Sequence, residues 1–469
     1  MLVAKNLRLK YPNANKKIFS GLDLTIKDKE KVLLLGPSGS GKSTLLNVLS
    51  GIVPDLIELP LKYDKLDRDF NSGVIFQDPD TQFCMPKVYE ELAFILENRQ
   101  VPRQEMDNQI TQALRSVGLA VDEDQYVNQL SGGMKQKLAI AETLLQNSNT
   151  LFLDEPTAML DVEATKALWS KIKSLWSDQT VLIVEHKVAH IWEYIDRVIL
   201  FDYDAKIIAD ERPEIILARY EHLLTEYGVW HPNAWDYAPI SMKKNNHTDN
   251  SKYQLRLQNC IVKRDKKDLI NIQELTINQG EWITITGANG SGKTSLLESL
   301  MQLIKYDGQM YFNNKLIRKI KDIAHHAFLV YQNPELQFIT NSVYDEIYVQ
   351  YTNYSDIEAQ QKTEAMLQEL NLVEVKNQHP FELSVGQKRR LSVATALSSE
   401  AEIILLDEPT FGLDSHNTFN LIKLFQQCIN KGQTIIMVTH DSEIIKRYST
   451  RRIHVKNKQL VEMLGEAHV

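Results

Sequence analysis

Apolar positions fall into two patterns that alternate along the chain. KVLLLG (31–36) and EWITITG (281–287) are short, β-rich runs that each end at a glycine loop. STLLNVLSG (43–51) follows the first with helical spacing of its apolar residues and a glycine stop, which predicts a helix. TLFLDEP, EIILLDEP, TVLIVEH and TIIMVTH show no polar alternation and read as strands buried on both faces. Strand, loop, helix and strand in that order predict an α/β fold with a largely parallel sheet flanked by helices.

The pattern occurs twice. GPSGSGKST (36–44) recurs as GANGSGKTS (287–295), and VIFQDPDTQF (74–83) as LVYQNPELQF (329–338). LSGGMKQK (130–137) recurs as LSVGQKRR (383–390), LFLDEPTAMLD (151–161) as ILLDEPTFGLD (404–414), and VEH (184–186) as VTH (438–440). Five ordered matches at a nearly constant offset mark a tandem duplication. The expected organisation is a first domain over 1–230, a linker over 231–252 and a second domain over 253–469. HPNAWDYAPISMKKNNHTDNSK carries two prolines and a cluster of Asn, Ser, Asp and Lys without apolar period, which reads as a linker. Trp230 and Trp235 could anchor it against a domain.

Bulk properties narrow the partners. At 469 residues the chain exceeds one comfortable core. A formal net charge of −8 argues against broad nucleic-acid binding, which needs a basic footprint. No apolar run approaches the roughly 18–20 residues of a membrane-spanning helix. The opening MLVAKNLRLKYP lacks the basic-then-apolar pattern of a signal peptide. Cys84, Cys260 and Cys428 are too dispersed for a metal cluster or a disulfide framework, and read as reduced thiols in a cytoplasmic setting.

The candidate chemistry is phosphate chemistry. Gly36–Ser43 and Gly287–Thr294 both fit G-x-x-x-x-G-K-[ST], in which backbone N–H groups and a helix N-terminus surround phosphate oxygens. The first loop contributes Gly36, Pro37, Ser38, Gly39, Ser40, Gly41, Lys42, Ser43 and Thr44. The second contributes Gly287, Ala288, Asn289, Gly290, Ser291, Gly292, Lys293, Thr294 and Ser295. Lys42 and Lys293 would neutralise the β- and γ-phosphates, and Ser43 and Thr294 would put a hydroxyl on Mg²⁺. Asp154 and Asp407 end apolar strands, where a carboxylate can hold Mg²⁺ through its water shell. Glu155 and Glu408 follow directly and can face an attacking water as general bases. His186 and His440 close later strands at matching places and suit contact with a γ-phosphate. Gln77 and Gln332 can ligate Mg²⁺ through the amide oxygen. His325 and His326 have no counterpart in the first copy and read as ordinary polar residues.

In this order the motifs resemble the nucleotide-binding domains of ABC transporters, and the resemblance spans nearly the whole chain outside the linker. It implies two P-loop ATPase domains, each with a helical subdomain, using ATP and Mg²⁺. QDPDTQF and QNPELQF resemble the ATPases of energy-coupling-factor importers, some of which fuse both ATPases in one polypeptide, so that no second ATPase chain is required. The resemblance further implies a head-to-tail arrangement in which ATP closes the two halves. Each ATP would then meet the signature of the opposite half: Ser131, Gly132 and Gly133 in one, Ser384, Val385 and Gly386 in the other. Val385 stands where glycine is expected, but its backbone donors survive, so a slowed site is expected. Met134 replaces a glutamine. Tyr11 is placed to stack on adenine, and Arg264 stands at the matching place in the second half. The expected partners are integral membrane subunits, a transmembrane coupling protein and a substrate-binding membrane protein, at the cytoplasmic face of the membrane. KVYEELAF (87–94) and SVYDEIYV (342–349) are the expected contact region. The rival expectations are the fused ATPase of a ribose-type sugar importer and a soluble ribosome-associated ABC factor.

Overall fold

The computed structural model describes residues 1–12, 16–37, 39–122, 124–157, 162–176, 178–241, 254–264 and 267–463. Two compact units form: Met1–Tyr237 with Asp414–His416, and Ala238–Leu413 with Asn417–Val469.

In the first unit a six-stranded sheet runs in the order Ile207–Glu211, Arg197–Phe201, Lys31–Leu35, Thr180–Val184, Thr150–Asp154 and Ser72–Ile75. All neighbours pair parallel except Ile207–Glu211, which adds antiparallel at the edge. Parallel neighbours need crossover connections, and helices such as Gly132–Gln146 and Val162–Leu175 provide them. Alternate residues of each strand therefore enter different cores. Leu33, Leu153, Ile183 and Leu200 join one cluster. Leu34, Phe152, Leu182 and Ile199 join another. Burial on both faces explains the unbroken apolar runs.

A separate antiparallel sheet of Phe19–Ile26, Leu2–Leu9, Leu61–Lys62 and Lys65–Asp67 was not legible in the apolar pattern. A register shift between Ala4 and Leu7, with Asn6 at φ 50, breaks the alternation that would have revealed it. The second unit repeats the irregularity at Asn259, φ 49. There the two sheets join into one of ten strands through a single parallel pair, Asn271 with Gln459.

The helix predicted after the first glycine loop spans Lys42–Ser50 and ends at Gly51, whose φ of 88 suits a glycine cap. Residues 231–237, expected to be linker, instead fold onto the first unit. His231 and Ala234 are buried, and Ala234–Tyr237 forms a 3₁₀ turn. The Trp230 and Trp235 rings pack 5.3 Å apart, and Asn233 donates to Glu221. A few aromatic and polar anchors hold this segment, so no apolar period announces it. Residues 242–252 of the same stretch lie outside the described residues.

The expected partner-contact stretches form helices Val88–Asn98 and Val343–Tyr348. Their second acidic residues, however, turn inward. Glu91 accepts from the N–H groups of Cys84 and Met85. Glu346 accepts from the N–H groups of Ile339 and Thr340 and from the Thr340 hydroxyl. Both carboxylates are buried. Glu346→Ala strands these donors and is expected to cost the second unit about 2 kcal/mol of stability, read by urea denaturation. A loss indistinguishable from that of an exposed Asp345→Ala control would count against this role.

Candidate active sites

The sheet order places the ends of Lys31–Leu35, Thr180–Val184 and Thr150–Asp154 side by side. Gly36, His186 and Asp154 thus converge at the carboxyl edge, where ligands of parallel sheets bind. Gly36 must be glycine, because a Cβ there would lie 2.7 Å from the Phe201 carbonyl oxygen. A cavity of about 290 Å³ opens here, lined by Tyr11, Gly39, Gly41, Lys42, Ser43, Thr44, Glu155 and His186, among others.

Lys42 is buried, with its ammonium donating to the carbonyls of Gly36 and Pro37 at 2.9 and 2.8 Å. It also reaches Ser40 Oγ at 3.3 Å. Burial drives its pKa down to about 8, against the pull of Glu155 and Asp154. The carbonyls that hold the ammonium carry no charge, so Glu155 and Asp154 offset only part of the cost of burial. In the second unit Lys293 is likewise buried and donates to the carbonyls of Gly287 and Ala288 at 2.7 and 3.0 Å.

Ser43 Oγ donates to Asp154 Oδ1 at 2.9 Å, and Thr294 Oγ1 to Asp407 Oδ2 at 2.7 Å. In each unit a hydroxyl and a carboxylate thus meet at one point. This is a hard-oxygen donor set with few protein ligands, which fits Mg²⁺ better than a softer ion. Burial raises Asp154 to about 6, partly offset by Ser43, and burial also raises Asp407.

The next residue swings off the strand. Glu155 at φ 48 and Glu408 at φ 50 occupy the left-handed region, which strains a non-glycine residue. Each is held there by its own N–H, to Val184 and Val438 carbonyls at 2.8 and 3.0 Å. Beyond this point the two units differ. Glu155 receives His186 Nε2 at 2.9 Å and Gln77 Nε2 at 2.8 Å. Burial opposes its ionisation. The His186 bond and charge, with Lys42 and Gln77, nevertheless hold it below the usual carboxylate range. Glu155 in turn raises His186 against burial. Glu408 Oε1 lies 3.5 Å from His440 Nε2 and has no hydrogen-bond partner among the described residues, while the His440 backbone N–H favours the ionised carboxylate. Burial and then the Asp407 charge push it up to about 8.

The signature segments start helices. Ser131 caps Gly132–Gln146, accepting from Met134 N–H, and Ser384 caps Val385–Ser398, accepting from Gln387 N–H. Gln387 reciprocates to Ser384 N–H at 2.9 Å, completing a capping box that Met134 cannot form. Val385 takes the first helical position with its side chain exposed, so the valine imposes no backbone strain. Gly133 and Gly386 follow within the same first turns. Tyr11 OH lies 3.0 Å from Thr44 Oγ1, and Arg264 reaches Ser295 Oγ at 3.5 Å, which puts them at equivalent places. Arg264 also pairs with Glu298 at 3.0 Å. Asn289, Gly290, Ser291 and Gly292 complete the second loop, with Gly292 capping helix Lys293–Leu300. Ser38 lies outside the described residues.

Several residues of these sites escaped the sequence reading. In VIFQDPDTQF and LVYQNPELQF the second glutamine joins this loop to the signature helix: Gln82 bonds Glu142, and Gln337 donates to Ser392 O and Thr395 Oγ1. Asp80 and Glu335 pair with Lys135 and Lys388 on the same helices. Buried Arg389 donates to the Tyr331 carbonyl, next to Gln332. Repetition in both copies of the second glutamine, and of Lys135 and Lys388 in the signature segments, was the available signal.

The family model described as ABC transporter matches residues 19–158 and 270–411. The chain is 30% identical to "Putative HMP/thiamine import ATP-binding protein YkoD" of Bacillus subtilis, over 96% of this chain and 88% of that one. It is 31% identical to "Putative ABC transporter ATP-binding protein" of Streptococcus pneumoniae serotype 4, covering 97% and 89%. Among solved structures, an archaeal ribosome recycling factor in complex with a ribosomal stalk protein superposes with a TM-score of 0.67 at 20% identity, covering 98% and 90%. At that identity the likeness is one of fold.

Proposed function

The chain belongs to the ABC transporter family and is an ATPase, and from that premise we propose that it powers a membrane importer of the energy-coupling-factor type. The cargo class is a vitamin, a vitamin precursor or a divalent metal ion. The observation that carries the reading is the duplicated Q-x-P-x-x-Q segment, whose second glutamine ties each glutamine loop to its signature helix. A change at Gln77 or Gln332 would thereby reach the helices Val88–Asn98 and Val343–Tyr348 that lie just downstream. The import function in the name of the Bacillus relative agrees with it.

In this reading Lys42 and Lys293 exchange carbonyl partners for phosphate oxygens, whose charge offsets the cost of burying the ammonium. Ser43 with Asp154, and Thr294 with Asp407, would hold Mg²⁺, with Gln77 and Gln332 as further oxygen donors. Bound Mg²⁺ would offset the charge that develops on the phosphates. Glu155 and Glu408 take the proton of the attacking water, and His186 and His440 orient the γ-phosphate. Tyr11 and Arg264 face the base. The signature residues Ser131, Gly132, Gly133, Ser384, Val385 and Gly386 supply helix-start donors to phosphate as ATP draws the two domains closed. The partners are integral membrane subunits, and the chain acts as a peripheral protein on the cytoplasmic face, with no second ATPase chain. Among the described residues no helix is long and apolar enough to cross a membrane.

The second reading is a ribosome-associated ABC factor, favoured by the fold likeness to the recycling factor. Purification of the tagged chain from detergent-solubilised native membranes, with mass spectrometry of what accompanies it, separates the two. A small helical transmembrane protein and a substrate-binding membrane subunit are the expected companions. Ribosomal proteins, with the chain absent from membranes, would overturn the importer reading.

A further inference from the structure

The backbone of His186 is gripped from two sides inside the first unit. On its amino side the buried Glu185 carboxylate accepts from the N–H groups of His186 and Lys187 at 3.0 and 3.4 Å. The same carboxylate receives Thr157 Oγ1 at 2.8 Å, which joins the turn after Glu155 to the histidine. On its carboxyl side Trp230 N–H donates to the His186 carbonyl at 3.1 Å, and Val188 N–H donates to the Trp230 carbonyl at 3.2 Å. Lys187 and Trp230 thereby form an isolated parallel bridge. Trp230 is held by burial and by its packing on Trp235. The second unit is built differently here. Thr439 replaces Glu185 and accepts from Asp441 N–H, and the chain enters helix Ser442–Tyr448 under an Asp441 cap.

We propose that the strip at Trp230, which leads into the connection between the two units, positions His186 against Glu155 and so sets the hydrolysis rate of the first site. Trp230 and Glu185 are positioning residues, since neither lies among the groups that would touch phosphate. A backbone bridge has two partners that must move together. A pull on the connection therefore shifts the histidine, and a shift of the histidine on nucleotide binding is carried into the connection. The inference rests on the reading of His186 as the γ-phosphate contact.

The test compares Trp230→Pro, which removes the N–H donor, with Trp230→Ala, which keeps it and removes the ring. Turnover is measured in a Glu408→Gln background, which isolates the first site, and in a Glu155→Gln background, which isolates the second. Trp230→Pro is expected to lower first-site kcat at least tenfold relative to Trp230→Ala, with second-site kcat unchanged within twofold. Equal rates for the two variants at the first site, or equal slowing of both sites, would overturn the proposal. His186→Ala runs alongside in the Glu408→Gln background. If it leaves turnover intact, the reading of His186 fails and the inference with it; if it slows turnover while Trp230→Pro does not, the inference alone fails. Should Trp230→Pro not fold, hydrogen exchange of the Glu155→Gln/Glu408→Gln chain decides. On addition of ATP and Mg²⁺, amides over 228–232 are expected to slow together with those over 184–190. Slowing confined to 184–190 would overturn the coupling.

Discussion

Glu155→Gln and Glu408→Gln are each expected to cut turnover at their own site by at least 100-fold, about 3 kcal/mol of barrier. The double variant should retain only background hydrolysis. The two surviving sites should also differ in pH dependence. In the Glu408→Gln chain the first site works alone. Its base lies below the usual carboxylate range and is ionised at neutral pH, while Lys42 loses its proton near pH 8. Its kcat/KM, which reports groups of the free enzyme, should therefore fall as pH rises through about 8. In the Glu155→Gln chain the second site works alone. Its base must lose a proton held up to about 8, so its kcat/KM should climb over the same range. Parallel profiles between pH 7 and 9 would refute the assignment of the bases.

Replacing Lys42 and Lys293 together by Met is expected to abolish ATP-induced thermal stabilisation, since both loops then keep their backbone donors but lose the cation. The measurement is the shift in Tm at saturating ATP with Mg²⁺; an undiminished shift would exclude these loops as the phosphate sites. Lys42 should also mark the stability of the nucleotide-free chain. Its folded pKa of about 8 lies below the ordinary 10.5. Between these values the unfolded chain binds more protons, so stability rises with pH across this window. Below about pH 8 the buried charge costs on the order of 3 kcal/mol. Lys42→Met should remove that part of the slope in denaturant titrations run from pH 8 to 10.

Much of each site was legible because its chemistry is local in sequence. The phosphate loop needs glycines, a lysine and a hydroxyl within one turn, and a strand must end beside it. Val385 was legible as a departure and, in the structure, sits exposed at a helix start that needs no glycine conformation. The glutamine-to-helix tie was not legible, because Gln82 and Gln337 meet partners far along the chain. The inward turn of Glu91 and Glu346 was hidden for another reason. Helical spacing gives the face of a residue, but whether that face meets solvent or the preceding loop depends on packing.

The sequence by itself determined the duplication, the α/β class, the buried parallel strands and the groups that carry phosphate chemistry. These follow from periodicity, from glycine stereochemistry and from which side chains can hold charge. Only the tertiary structure decided how alike the two copies are. Glu155 and Glu408 occupy matching motifs, yet one is held ionised by His186 at 2.9 Å and Gln77 at 2.8 Å, while the other stands 3.5 Å from its histidine and is buried beside Asp407. Ionisation is set by distances of a few ångströms and by exclusion of water, which only the packed chain establishes. It also placed residues 231–237 in the first unit, because a few anchors such as Trp235 and Asn233 hold them and isolated anchors leave no apolar period to read.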